Sequence, residues 1–146
     1  MRSAQSLPEL APTLEVTVHC GDLDALAATW EALVDPQHPG AAFRSWAWLS
    51  AWWKSFSAGR EPFVLIASDG GTPVGLLPLC AERSPLGGRR LVFMGEGIVG
   101  SDYLGVVGRA ADAERLARAF AERLAREPYD ELSLDGILAG DPLLPA

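Results

Sequence analysis

Lysine is nearly absent from this 146-residue chain: of 12 cationic residues all but Lys54 are arginine, set against 19 acidic ones for a net charge of −7. A nucleic-acid duplex or an anionic membrane is held by a basic footprint, so this balance argues against both as partners. Only Arg89 and Arg90 are adjacent, and the arginine bias marks no clustered anion site. Cysteine is scarce as well. Cys20 and Cys80 form neither a disulfide framework nor a C-x-x-C pair, and both fall in apolar strand-like stretches, where they read as small core residues. His19 and His38 are isolated and supply no metal-ligand spacing. No run approaches the ~18 apolar residues of a membrane span, and Met1 to Leu14 lacks the apolar centre of a signal peptide. These absences point to a cytoplasmic protein with reduced thiols.

What is present is enough apolar material for one domain, 49% of the chain, punctuated by 15 glycines and 11 prolines. Residues 1–13, with Pro8 and Pro12, read as a flexible leader, and 14–146 as a single lobe. Leu14, Val16, Val18 and Cys20 alternate with polar neighbours and predict a half-buried strand. Asp22 can cap a helix carrying Leu23, Leu26, Trp30 and Leu33 on one face and stopping before Asp35-Pro36. Ser45 can cap a second helix to Phe56, so aromatic around its circumference that it must be buried on more than one side or offer a surface to something else. Phe63–Ala67, the Asp69-Gly70-Gly71 turn and Val74–Ala81 predict a hairpin, in which Pro78 demands an edge or a bulge.

Arg90–Met94 and Tyr103–Val107 predict further short strands, separated by Gly95, Gly97 and Gly100. A third helix opens near Asp112 and Glu114, with Ala113, Leu116, Ala117, Phe120, Ala121 and Leu124 inward and the pairs Glu114/Arg118 and Glu122/Arg126 at favourable spacing. A last strand spans Glu131–Ile137. The order β-α-α-β-β-β-(β)-α-β, with its sequential hairpins, predicts an α+β fold: a mixed, mostly antiparallel sheet with helices on both faces. Asp141-Pro142-Leu143-Leu144 looks like the start of a helix that the chain does not continue, which predicts a truncated domain.

Four stretches sharpen this order: Trp30-Glu-Ala-Leu33; Phe43-Arg-Ser-Trp-Ala-Trp-Leu-Ser-Ala-Trp-Trp53; Val74-Gly-Leu-Leu-Pro-Leu79; and Met94-Gly95 followed by Gly100-Ser-Asp-Tyr-Leu104. Together they resemble the N-terminal half of the CelD-like (cellulose-biosynthesis) acetyltransferases of the GNAT superfamily, a pattern of aromatic and glycine positions covering about residues 14 to 145. The resemblance implies an N-acetyltransferase moving an acyl group from acetyl-CoA, or another acyl-CoA, to a small-molecule or saccharide amine. It also implies a missing C-terminal GNAT half, or self-association in its place. The isolated chain would then be inactive, and hydrophobic dyes would bind its uncovered face.

The pyrophosphate motif expected of that superfamily, glycines ahead of a helix N-terminus, is poorly matched. Val92-Phe-Met-Gly95-Glu-Gly97 begins on valine and adds a carboxylate, and Gly108-Arg109-Ala-Ala precedes a helix whose first turn is acidic. No cofactor-binding residue is therefore assigned, and tight cofactor binding by this segment is not expected. Glu96, Asp102 and Tyr103 are the best polar cluster and the candidate catalytic residues: a carboxylate to orient an amine, and a phenol to protonate a leaving thiolate. The competing reading makes Asp102 a turn residue and Tyr103 a strand residue. Trp46 and Trp48 are candidate substrate-stacking residues, with core packing as their alternative. A non-catalytic lobe that shapes an acceptor groove for a partner domain is the second functional reading.

Overall fold

The computed structural model describes residues 13–97, 99 and 101–144. Apart from Thr13 the expected leader lies outside them, as does Gly100.

The elements run β1 (Glu15–His19), α1 (Ala27–Leu33), α2 (Ala41–Arg44), α3 (Trp46–Phe56), β2 (Glu61–Asp69), β3 (Thr72–Arg83), β4 (Arg89–Phe93), β5 (Val107–Gly108), α4 (Ala113–Leu124) and β6 (Glu131–Ser133). The fold is mixed α+β. A six-stranded sheet in the order β1-β2-β3-β4-β6 is antiparallel throughout except for β4 and β6, and β5 pairs with β3. Parallel neighbours need a long crossover, and the chain between β4 and β6 supplies one that carries α4.

Local chemistry accounts for the elements. Gly70 and Gly71, at φ +56° and +86°, close the β2–β3 hairpin between Asp69 and Thr72, the left-handed pair that a two-residue turn requires. The Asp22 carboxylate accepts the Asp24 N–H at 3.0 Å and starts a 3-10 turn leading into α1, while Ser45 Oγ accepts the Trp48 N–H at 3.2 Å and starts α3. Alternation in the central strands then sorts two cores. Phe63, Leu65, Leu77, Leu79, Leu91 and Phe93 meet Leu116, Phe120 and Leu124 of α4. Val64, Leu76, Cys80 and Val92 meet Trp30 of α1 and Leu49 and Trp52 of α3 on the opposite face.

Several expectations are corrected. Pro78 lies in a central strand, not at a sheet edge. On the β4 side of β3, the pairing of Gly75 and Leu76 with β5 gives way to the pairing of Leu79 onward with β4, and Pro78 falls between them. There its carbonyl accepts the Met94 N–H at 3.0 Å, so its missing amide costs no ladder bond. Cys20 is exposed just beyond β1, whereas Cys80 is buried. Tyr103–Val106 forms no strand: the Arg44 side chain, rather than a neighbouring strand, takes the Tyr103, Leu104 and Val106 carbonyls. Arg118 and Arg126 do not pair with Glu114 and Glu122. The helix is tied instead by Arg115 to Asp69 (3.1 Å) and Arg123 to Glu127 (2.7 Å), the latter guanidinium also capping the open edge of β1 at the Val16 carbonyl. Asp141 does make a capped turn, accepting the Leu143 N–H at 2.9 Å.

Candidate functional site

The turn after β4 aims the most perturbed carboxyl among the described residues into a groove. Gly95, at φ +94°, is backed by Leu49 and Leu104, where a Cβ would stand 2.9 Å and 3.2 Å from their methyl groups. The chain therefore turns tightly and directs Glu96 toward α3. Glu96 lines a cavity of about 100 Å³ with Trp52, Phe56, Arg60, Gly97 and Val99. A second cavity of about 170 Å³ continues along α3 between Trp48, Ala51, Trp52, Ser55, Phe56 and Val99. Trp48, Trp52 and Phe56 recur at helical spacing, so one face of α3 forms the wall. Trp48 is held at the rim because its indole N–H donates to Ser101 Oγ at 2.9 Å and its ring meets Phe43 edge-on at 5.3 Å.

Burial pushes the Glu96 carboxyl from 4.5 up to about 7. Arg90 and Arg60 oppose the rise, and Asp135 and Glu82 add to it. Both arginines are committed elsewhere. Arg60 donates to Glu82 at 2.9 Å and to the Phe56 carbonyl at 2.6 Å, with its guanidinium 5.4 Å over the Trp52 ring, while Arg90 lies 3.5 Å from Glu82 and 3.3 Å from Glu131. One Glu96 oxygen, Oε2, is shielded from solvent and has no hydrogen-bond partner. A carboxyl balanced near neutrality in a cleft, with a lone pair unspent, can accept a proton from a ligand or hold a cation.

The expected trio does not assemble. Asp102 is exposed, and Tyr103 is an exposed residue at φ +57° whose Cβ packs on Gly40; neither lines the groove. Trp46 packs against the fully buried Trp30, the rings 5.5 Å apart and tilted by 59°, so of the two candidate stacking tryptophans only Trp48 faces the groove. Among the described residues no group of His, Cys, Asp and Glu could hold a metal, and none of the helices is long and apolar enough to cross a membrane.

Sequence reasoning missed Arg44. Its side chain is buried, donating from Nε to the Tyr103 carbonyl and from Nη1 to the Val106 carbonyl, each at 2.6 Å, with Asp141 4.0 Å away. Its own carbonyl accepts the Trp30 indole N–H at 2.8 Å. Burial, more than any charge, pulls the guanidinium below its usual range. The signal was a single arginine inside the aromatic run Phe43–Trp53.

Arg44 matters because of what the segment it holds does. Ligands of open sheets settle in the crevice beyond the carboxyl ends of parallel strands, and here β4 and β6 stay paired only as far as Val92 and Ser133. The space beyond is filled by the chain itself. Leu104 donates its N–H to the Gly136 carbonyl at 3.0 Å, and its side chain lies 3.2 Å from where a Gly95 Cβ would stand and 3.5 Å from a Gly136 Cβ. The turn leading into α4 is also engaged: the Ala110 N–H faces the Asp35 carboxylate at 3.4 Å, and Asp112 and Glu114 make the first turn acidic. A pyrophosphate would meet negative charge there. Among the described residues, neither the crevice nor the start of α4 offers a site to the pyrophosphate of the acyl-CoA that the resemblance implies.

No protein-family profile, curated protein or solved structure matches this chain.

Proposed function

We propose that this chain is the acceptor-binding lobe of a GNAT-type, CelD-like amine acyltransferase, with the acyl donor held by a separate domain on the same or another chain. The observation that carries the proposal is the Glu96 carboxyl: near neutrality, with an unpartnered oxygen, at the end of an aromatic groove. Support for the family assignment comes from the strand order, with a parallel β4–β6 pair joined through α4, and from the residue stretches that carry the resemblance.

In the groove Glu96 receives the ammonium of the acceptor. Desolvation lowers the amine's affinity for its proton while raising that of the carboxylate. The transfer is therefore far less uphill than in water: the N–H bond breaks, the carboxyl O–H forms, and the neutral amine keeps the lone pair that attack on an acyl group needs. Trp48 and Trp52 wall the groove and exclude water from that exchange. The filled crevice supports placing the donor on a separate domain.

Tryptophan fluorescence tests the assignment, since two indoles line the groove. Primary amines are expected to change the emission of the wild-type chain and to lose that effect in Glu96→Gln. Acetyl-CoA at millimolar concentration is expected to leave the melting temperature unchanged, although a ligand at ~100 times its Kd would add about 2.7 kcal/mol. An acetyl-CoA-induced rise, or an amine response indifferent to Glu96→Gln, would overturn the proposal.

A further inference from the structure

The two connected cavities along α3 differ in chemistry, and the difference specifies the amine. The outer one, about 170 Å³, is walled by Trp48, Ala51, Trp52 and Phe56. Its donors are already spent: Ser55 Oγ donates to the Ala51 carbonyl at 3.0 Å, and the Trp48 N–H is given to Ser101, which leaves the Ser55 oxygen as an acceptor. The several hydroxyl groups of a sugar entering there would lose their water partners and find no donor and only that one acceptor in exchange. An apolar cavity of about 150 Å³, by contrast, accommodates a benzene-sized ring. The inner cavity, about 100 Å³, shares Trp52 and Phe56 with the outer one and ends at Glu96. Around that end Glu96, Glu82 and Asp135, with Glu131 on Arg90, face Arg60 and Arg90, an excess of negative charge when all are ionised. An ammonium entering the inner cavity supplies the missing cation.

Building on the amine-acceptor reading, we infer that the groove selects an arylalkylamine: a flat apolar ring against Trp48, Trp52 and Phe56, and, one short chain away, a primary ammonium at Glu96. This departs from a saccharide acceptor, most of whose hydroxyl groups the outer cavity leaves without a partner. Arg60, held over Trp52 by Glu82 and the Phe56 carbonyl, lines the inner cavity and is absent from the lining of the outer one, where the ring is placed.

Isothermal titration with 2-phenylethylamine, 2-phenylethanol and glucosamine tests this. The wild-type chain is expected to bind phenylethylamine at least tenfold more tightly than either of the others. Glu96→Gln is expected to erase the preference over phenylethanol while leaving the affinity for phenylethanol in place. Ala51→Phe, on an exposed position of α3, fills the outer cavity and is expected to weaken both phenyl ligands at least tenfold with the melting temperature held. Glucosamine binding as tightly as phenylethylamine in a Glu96-dependent way would overturn the arylalkylamine inference and leave the amine-acceptor reading standing. Loss of every amine response in the wild-type chain would overturn both. A phenyl preference untouched by Ala51→Phe would put the ring elsewhere and overturn the inference alone.

Discussion

Glu96 should make this protein lose stability as the pH rises through the range in which most carboxylates have finished titrating. Its carboxyl is moved from 4.5 to about 7 in the folded state, chiefly by burial. The folded state therefore holds the proton more tightly than the unfolded chain does. The favourable contribution is complete below pH 4.5 and disappears as the pH passes 7, where the folded protein must carry a poorly solvated carboxylate. At 1.36 kcal/mol per tenfold change in proton affinity the full difference is about 3.4 kcal/mol. Glu96 is only half-buried, and solvent screening brings the expected effect to about 1–2 kcal/mol. Glu96→Gln removes the titration while keeping the shape, and other carboxylates cancel when the two proteins are compared. Urea unfolding at pH 4.5, 6 and 8 should give similar stabilities at the lowest pH and a variant more stable by about 1–2 kcal/mol at the highest. Parallel curves across that range would refute the idea that burial governs this carboxyl.

Four further substitutions probe the framework of the fold. Arg44→Met leaves the carbonyls of Tyr103 and Val106 without their 2.6 Å donors, and urea unfolding should record a loss of about 3–5 kcal/mol. Arg44→Lys should recover only part of this, and a loss under 1 kcal/mol for the Met variant would contradict the role given to Arg44. Gly40→Ala would put a Cβ 2.4 Å from Tyr103 Cβ and 2.8 Å from its carbonyl oxygen, so about 1–3 kcal/mol of overpacking is expected in the same assay. An unchanged midpoint would show that the Tyr103 loop moves aside freely. Gly70→Asn, at φ +56° with nothing nearby, keeps a left-handed conformation that asparagine tolerates. It should raise stability by about 0.5 kcal/mol by restricting the unfolded chain, and a loss would mean that the turn is not of the expected type.

The elements that could be read in advance are those whose chemistry is local. The Asp69-Gly70-Gly71 turn, the caps at Asp22 and Ser45, and the stripe of α4 each depend on neighbours within a few residues, so one sequence carries them. Pro78 was placed at an edge or a bulge because a single strand does not show that its flank passes from one partner to another. Cys20 was placed inside because alternation runs one residue past the point where β1 ends. Arg118 and Arg126 have acidic residues at the right helical spacing, yet Arg115 and Arg123 find partners in β2 and beyond the end of α4, and such competition is invisible in helical periodicity. The site divides the same way. Glu96 stood out as a carboxylate among glycines, but its grouping with Asp102 and Tyr103 assumed that nearness in sequence means a shared cleft. The tight turn at Gly95 and the left-handed conformation at Tyr103 separate them.

One segment explains both what is closed in this fold and what is open. Leu104 fills the space where β4 and β6 part, the position at which a sheet of this kind would receive a ligand. Three residues earlier, Ser101 accepts the Trp48 indole N–H and fixes the rim of the groove along α3. Arg44 holds the same segment by its carbonyls, and through its own carbonyl ties that anchor to Trp30 in the core. Displacing Leu104 would open the crevice, but it would also release Ser101 from Trp48 and loosen the wall on which a ring could rest. A filled crevice and a formed groove are therefore two consequences of one packing arrangement. That arrangement is why Arg44, remote from Glu96 in the chain and absent from the groove lining, should control ligand affinity there. Arg44→Lys is expected to weaken 2-phenylethylamine binding even at a temperature where the variant remains folded, and undiminished affinity in that variant would break the link between the segment and the site.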